Sequence, residues 1–170
     1  MRKTMMLAAA LAALPVTASA QSVAAIKPLY ESFRGWLVAA AQQMPEADYS
    51  FKPTPEVRSF GEILGHTAGA NYMFCAAALG EENPNKTDYE KAASKAEIVK
   101  GLEASFTYCD KAYAMPDADA MQEITFFRQK GTKLWVLNYN ATHDAEHYGN
   151  IVTYMRLKGM VPPSSQRGGM

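Results

Sequence analysis

Apolar positions recur at steps of three and four residues along most of the chain, and four stretches hold that step long enough to predict helices. The first runs from Val23 to Met44, with Ile26, Leu29, Tyr30, Phe33, Leu37, Val38 and Ala41 on one face; Pro45 ends it. The second opens at Ser59, a good N-cap. Glu62 stands three residues later and completes the S-x-x-E capping box. This helix carries Phe60, Ile63, Leu64, Thr67, Asn71 and Phe74 and stops near Gly80. The third spans Ser94 to Ala114, repeats the capping-box pattern at Ser94 and Glu97, and lines up Ile98, Leu102, Ser105, Phe106, Cys109 and Tyr113. The fourth and longest covers Thr132 to Leu157, with Gly159 as its C-cap and Pro162-Pro163 forbidding continuation. Gly149 lies inside it at a cost of about 1 kcal/mol relative to Ala, which predicts close approach by a neighbouring helix.

The stretches between are polar and aperiodic. "PEADYSFKPTPEVRS" and "EENPNKTDYEKAAS" are long connectors, and "MPDADAMQEITFFRQKGT" leads into the last helix with a short strand or extended piece at Ile124–Phe127. Four long helices without a convincing sheet predict an all-α fold, a four-helix bundle with long crossover connections rather than a chain of tight hairpins. The bundle is one domain over residues 21–163, and "SSQRGGM", residues 164–170, reads as a disordered tail.

The N-terminus changes the picture of where this domain works. Arg2 and Lys3 precede an apolar run from Met5 to Val16, followed by Ala18-Ser19-Ala20. This is the pattern of a secretory signal peptide over residues 1–20, cleaved after Ala20. The apolar run falls short of the roughly 20 residues a membrane anchor needs, and Gln21 offers no thiol for a lipid. The expected location is periplasmic or secreted, with no membrane partner after cleavage. Without the leader the chain holds 15 basic and 17 acidic residues. There is no basic stripe, so no nucleic-acid partner is expected. A hydrophobic content of 48% is enough for a real core. Oligomeric state is unreadable, with a homodimer left open.

Two of the three histidines fall in "NATHDAEHYGN". His143 and His147, at i and i+4, share one helix face and can hold one cation, as the two histidines of H-E-x-x-H zinc helices do. They belong to a polar seam of Asn140, His143, His147, Asn150 and Tyr154 that is costly to bury without partners or metal. The pair alone could equally be two surface histidines. The third, His66 in "SFGEILGHTAGANYM", has Ile63 and Ala70 on its face and should point inward. Three neutral imidazoles with an open position form a catalytic type of metal site. The carboxylates nearby are Glu62, whose capping role is the simpler explanation, and Asp144 and Glu146, which lie off the ligand face. No nucleophile signature appears.

"HDAEHYGNIVTYMRLKGMVPP" resembles the end of the last helix of DinB-like proteins. "RSFGEILGHTAGANYMF" resembles their second helix and "MPEADYSFKPTPEVRS" the linker before it. The resemblance covers nearly all of residues 23–163. It implies an up-down-down-up four-helix bundle and a divalent metal held by His66, His143 and His147. Zinc and nickel lead the candidate metals, with iron, copper and manganese still open. Tyr148 stands near a position where many members carry a His or Arg. The implied topology makes the second and third helices parallel, which brings Cys75 and Cys109 nearly level, so that a disulfide becomes geometrically available. Two buried free thiols remain the alternative.

Two functional readings follow. One is an exported metal-dependent enzyme, a hydrolase or transferase acting on a small molecule, with unknown catalytic residues. The other is a non-catalytic metal- or ligand-binding protein of the same fold. Export weighs against a thiol-transferase role, because low-molecular-weight thiol cofactors are mainly cytosolic.

Overall fold

Ser22 accepts a hydrogen bond from the Ala25 amide and starts α1, Val23–Gln43. The computed structural model describes residues 22–166. The leader expected at 1–20 and the last four residues of the expected tail lie outside the described residues. Ser59 and Glu62 close both halves of the capping box at the head of α2, Phe60–Leu79, and Gly80 ends that helix at φ 74°. Ser94 accepts from the Glu97 amide to open α3, Lys95–Ala112, but Glu97 reaches back to the Ala93 amide instead of closing the box on Ser94. A one-turn helix, α4 (Asp117–Ala120), precedes the last long helix, α5 (Lys133–Leu157). Gly159 at φ 73° lets the Met160 amide return to the Met155 carbonyl and seal the end of α5.

Side-chain pairings fix the directions of the helices. Along α2 and α3, Gly61 meets Ile98, Asn71 meets Ser105 and Cys75 meets Cys109, so the two run parallel. Along α2 and α5, His66 meets His147 and Asn71 meets Asn140, and Arg58, just before α2, meets Tyr154, so these run antiparallel. Tyr30 packs near Phe106 and Gln42 near Glu103, so α1 opposes α3. This is the up-down-down-up bundle. Its core is threaded by Tyr30, Leu37, Phe60, Leu64, Phe74, Leu102, Phe106, Leu137, Ile151 and Met155, all fully or almost fully buried. The disulfide Cys75–Cys109 joins the parallel pair, with Cα atoms 5.2 Å apart.

Three local expectations change. The single strand expected at Ile124–Phe127 is a hairpin, in which β1 (Glu123–Phe126) pairs antiparallel with β2 (Gln129–Thr132). Its partner strand, "QKGT", has no apolar alternation to announce it. Gly149 is exposed, with nothing near the place a Cβ would occupy, so it admits no helix. Within the helices the close approaches are at Gly65 and Gly101, where a Cβ would collide with Tyr89. The stretch after the double proline is held in place at its start. Pro163–Ser165 forms a 3-10 turn whose Ser164 exchanges two hydrogen bonds with the Tyr148 hydroxyl, each 2.9 Å.

Among the described residues, Asp144 is the one buried polar side chain for which neither oxygen finds a hydrogen-bond partner. Burial pushes its carboxyl well above the usual range, which keeps the proton on it. An unfolded Asp releases that proton near about pH 3.9. Above that pH the folded state binds more protons than the unfolded one, so this residue makes stability fall as pH rises towards the folded pKa. Asp144→Asn should therefore be more stable than the parent at about pH 7, by at least ~1 kcal/mol, with the gap closing towards about pH 4. Equal urea midpoints for the two proteins at both pH values would contradict this.

The disulfide gives a second test. Tying residues 75 and 109 together removes unfolded-chain entropy worth about 3–4 kcal/mol in the chain-entropy model. The double variant Cys75→Ala/Cys109→Ala should lose about that much stability in urea. Under denaturing conditions the parent should take up no thiol label before reduction and two afterwards; two labels without reductant would exclude the bridge.

Candidate metal centre

All three histidines meet in the seam between α2 and α5. His66 comes from the middle of α2, and His143 and His147 come from successive turns of α5. The Nε2 of His143 lies 3.2 Å from Nε2 of His66 and 3.0 Å from Nε2 of His147. The donor atoms of all three lie within 4.8 Å of one another. Three imidazole nitrogens each bound at about 2.0–2.1 Å to one tetrahedral ion stand about 3.3 Å apart. The closest pairs are near that value, so the donor set fits a small divalent cation.

Electrostatics favours the same reading. Burial lowers His143 to a pKa of about 3, helped by the neighbouring His147 and His66. Burial likewise lowers His147 to about 4, with His66 next in effect. Both rings are neutral at pH 7, as ligation requires. The Nδ1 of His66 faces Glu90 Oε1 at 2.8 Å. An ionised carboxylate can only accept, so Nδ1 carries the proton and Nε2 keeps its lone pair free for a metal. Burial works against the charge on Glu90. The hydrogen bonds from Arg58, at 3.0 Å, and from His66 outweigh it and hold the carboxyl below its usual range. The Nδ1 atoms of His143 and His147 are buried without a partner, so this outer brace is one-sided.

Glu90 was invisible in the sequence. It sits in a polar connector with no periodicity, in the 3-10 turn Tyr89–Lys91. The signal lies elsewhere: Gly65 on α2 and Gly101 on α3 leave the space that Tyr89 fills. With Tyr89 clamped there, the next residue faces His66.

The other candidates separate cleanly. Glu62 caps α2 and pairs with Lys52 at 2.9 Å. Asn140 lies in the core, donating to Asn71 at 2.7 Å and accepting from Tyr113 at 3.0 Å. Tyr148 turns away from the histidines and stacks on Trp36 at 5.3 Å. Tyr154 donates to the Arg58 carbonyl at 2.6 Å. Beside His147 opens a groove of about 560 Å³, lined by Thr54, Glu56, Arg58, Glu146, Asn150 and Tyr154 among others. On the opposite flank the ring of Phe74 stands 5.4 Å from that of His143.

Residues 29–151 match the model of the DinB superfamily. The fold is similar to the crystal structure of a DinB-like protein from Bacillus cereus ATCC 10987, with a TM-score of 0.74 and 17% identity over 84% of this chain and 97% of that one. It is also similar to that of a DinB-like protein from Bacillus subtilis, with a TM-score of 0.64 and 22% identity over 84% of this chain and 98% of that one. No curated protein matches the chain.

The depressed histidines predict acid sensitivity of the metal-free protein. Unfolded, both rings titrate near about 6.5; folded, they titrate at about 3 and about 4. Between those limits the unfolded state binds more protons. The stability they contribute is complete above about pH 6.5 and is lost as pH falls towards the folded values. Urea unfolding of chelator-treated protein from about pH 7 to about pH 4.5 should show that fall. His143→Asn and His147→Asn should each flatten it; an unchanged slope in both variants would remove the explanation.

Proposed function

The chain belongs to the DinB superfamily, and on that premise we propose that it is an exported, metal-dependent enzyme acting on a small molecule. His66, His143 and His147 hold one divalent ion. The observation that carries this reading is the convergence of three Nε2 atoms from two helices, with a carboxylate fixing the tautomer of one of them. When bound, such an ion supplies Lewis-acid polarisation of a donor atom on the small molecule. Glu90 orients His66, and Arg58 holds Glu90 in turn. Glu56 and Glu146 are the carboxylates lining the groove beside His147, the groups able to take a proton from a molecule lying there. An all-imidazole donor set suits zinc or nickel and tolerates copper and iron. Export is supported by the leader-like N-terminus and by the buried disulfide, which suits an oxidising compartment.

One observation favours a non-catalytic metal-binding role. The carboxylate in contact with a ligand, Glu90, is engaged by both Arg58 and His66 and is not free to move a proton. Turnover that disappears with chelator and in the Glu146→Gln variant favours the enzyme; a tightly held metal without turnover favours the binding protein.

Elemental analysis of the purified protein tests the centre itself. The parent should carry about one equivalent of divalent metal, and each single His→Ala variant should lose most of it while keeping its helical circular dichroism. Glu90→Gln should weaken affinity by about 10- to 100-fold. Loss in His143→Ala and His147→Ala but not in His66→Ala would reduce the centre to a two-histidine surface site. Full occupancy in all three would eliminate it.

A further inference from the structure

The His143 flank of the centre is built differently from the His147 flank. Tyr139 lies one turn before His143 on α5 and so on the same face. Phe74 packs between them, 5.4 Å from the His143 ring and 5.1 Å from the Tyr139 ring. The hairpin tip then brings Phe127 to 6.2 Å from both Phe74 and Tyr139. Phe127 is 54% exposed and Tyr139 42% exposed, so these rings do not serve the core. Phe127 also sits at φ 48°. Two-residue hairpin turns normally fill such a position with Asn, Asp or Gly, and a bulky side chain there is an outlier. Neither turn geometry nor burial accounts for an aromatic ring at this place.

We propose that Phe127 and Tyr139 form the aromatic wall of the ligand site, and that the centre takes a small molecule joining a metal-coordinating group to an aromatic ring. The proposal rests on the metal reading above. The coordinating group lies at the three Nε2 atoms. The ring lies towards the hairpin, where edge-to-face or offset packing on exposed aromatic rings removes apolar surface from water. Tyr139 and His143 are one turn apart on α5, about 5–6 Å between their Cβ atoms, so the group and the ring are joined directly or by a short linker. Polar substituents of the same molecule find their partners in the groove on the other side, beside His147.

Two hydroxamates with the same coordinating group test this. The protein is loaded with Co(II), whose visible absorption reports uptake, and is titrated with benzohydroxamate and acetohydroxamate. Benzohydroxamate should bind about tenfold more tightly. Phe127→Gly and Tyr139→Ala should each bring that preference to within about twofold and leave acetohydroxamate unchanged. Phe127→Gly should not lower the melting temperature, because glycine suits the turn. Equal affinities in the parent, failure of both hydroxamates to bind the loaded protein, or a preference that survives both substitutions overturns the proposal. So does a Phe127→Gly variant that melts earlier with its preference intact, which assigns Phe127 to packing alone. Absence of cobalt uptake removes the metal reading and this one with it; uptake without phenyl preference removes only this one.

Discussion

Parallel packing of α2 and α3 is the constraint on which the rest of the molecule depends. A helix of 20 residues is about 30 Å long, and a chain leaving its far end must travel that length again before a parallel neighbour can begin. Residues 80–94 make this return. They run back over the α2–α3 seam until Tyr89 seats against Gly65 and Gly101. That return delivers Glu90 to His66 and to Arg58. An antiparallel pair joined by a short loop would leave His66 without its carboxylate. The same alignment sets Cys75 level with Cys109. One topological choice thus supplies both the covalent tie of the core and the outer brace of the metal centre.

The polar groups buried along α5 are satisfied to different degrees, and the differences follow what faces them. Asn140 meets Asn71 and Tyr113 and is fully engaged. One and two turns further on, His143 and His147 have only imidazole nitrogens within hydrogen-bond distance, and their Nε2 atoms crowd together. Asp144 points to the other side and finds no partner. In a low-dielectric core an unpaired polar group is expensive and a satisfied network is rigid. The Asn71–Asn140 contact therefore acts as a fixed floor beneath the histidines. It sets the register of α2 against α5 and so the distance between His66 and the pair on α5.

What could be read in the sequence was whatever depends on neighbours within one helix. The Ser59–Glu62 capping box, the double-proline stop after α5 and the His143–His147 spacing are local, and each sits where its pattern predicts. The inward direction of His66 followed from Ile63 and Ala70 on its face. The features that could not be read depend on chain returns. Glu90 lies in a segment whose composition says only that it is solvated, and its role comes from where the crossover passes. Gly149 misled because a glycine in a helix signals close packing only when another element reaches it; the elements that do approach closely are at Gly65 and Gly101. Asp144 gave no warning either, since its burial depends on which face of α5 turns to α1.

Backbone conformation is conventional almost everywhere, which makes the exception informative. Gly80 and Gly159 occupy positive φ at helix ends, where the αL cap needs them. Among the described residues the only other positive φ values belong to Phe127 and Arg128, adjacent at the hairpin tip. Each opposes a local preference that Asn-Gly would satisfy at no steric cost. Sequences tend to agree with their structures at every level, and departures concentrate at functional sites. This departure lies at the edge of the aromatic group that contacts His143 through Phe74. The strain and the candidate metal centre therefore share one face of the bundle, and a turn optimised for stability alone would have no reason to place a phenyl ring there.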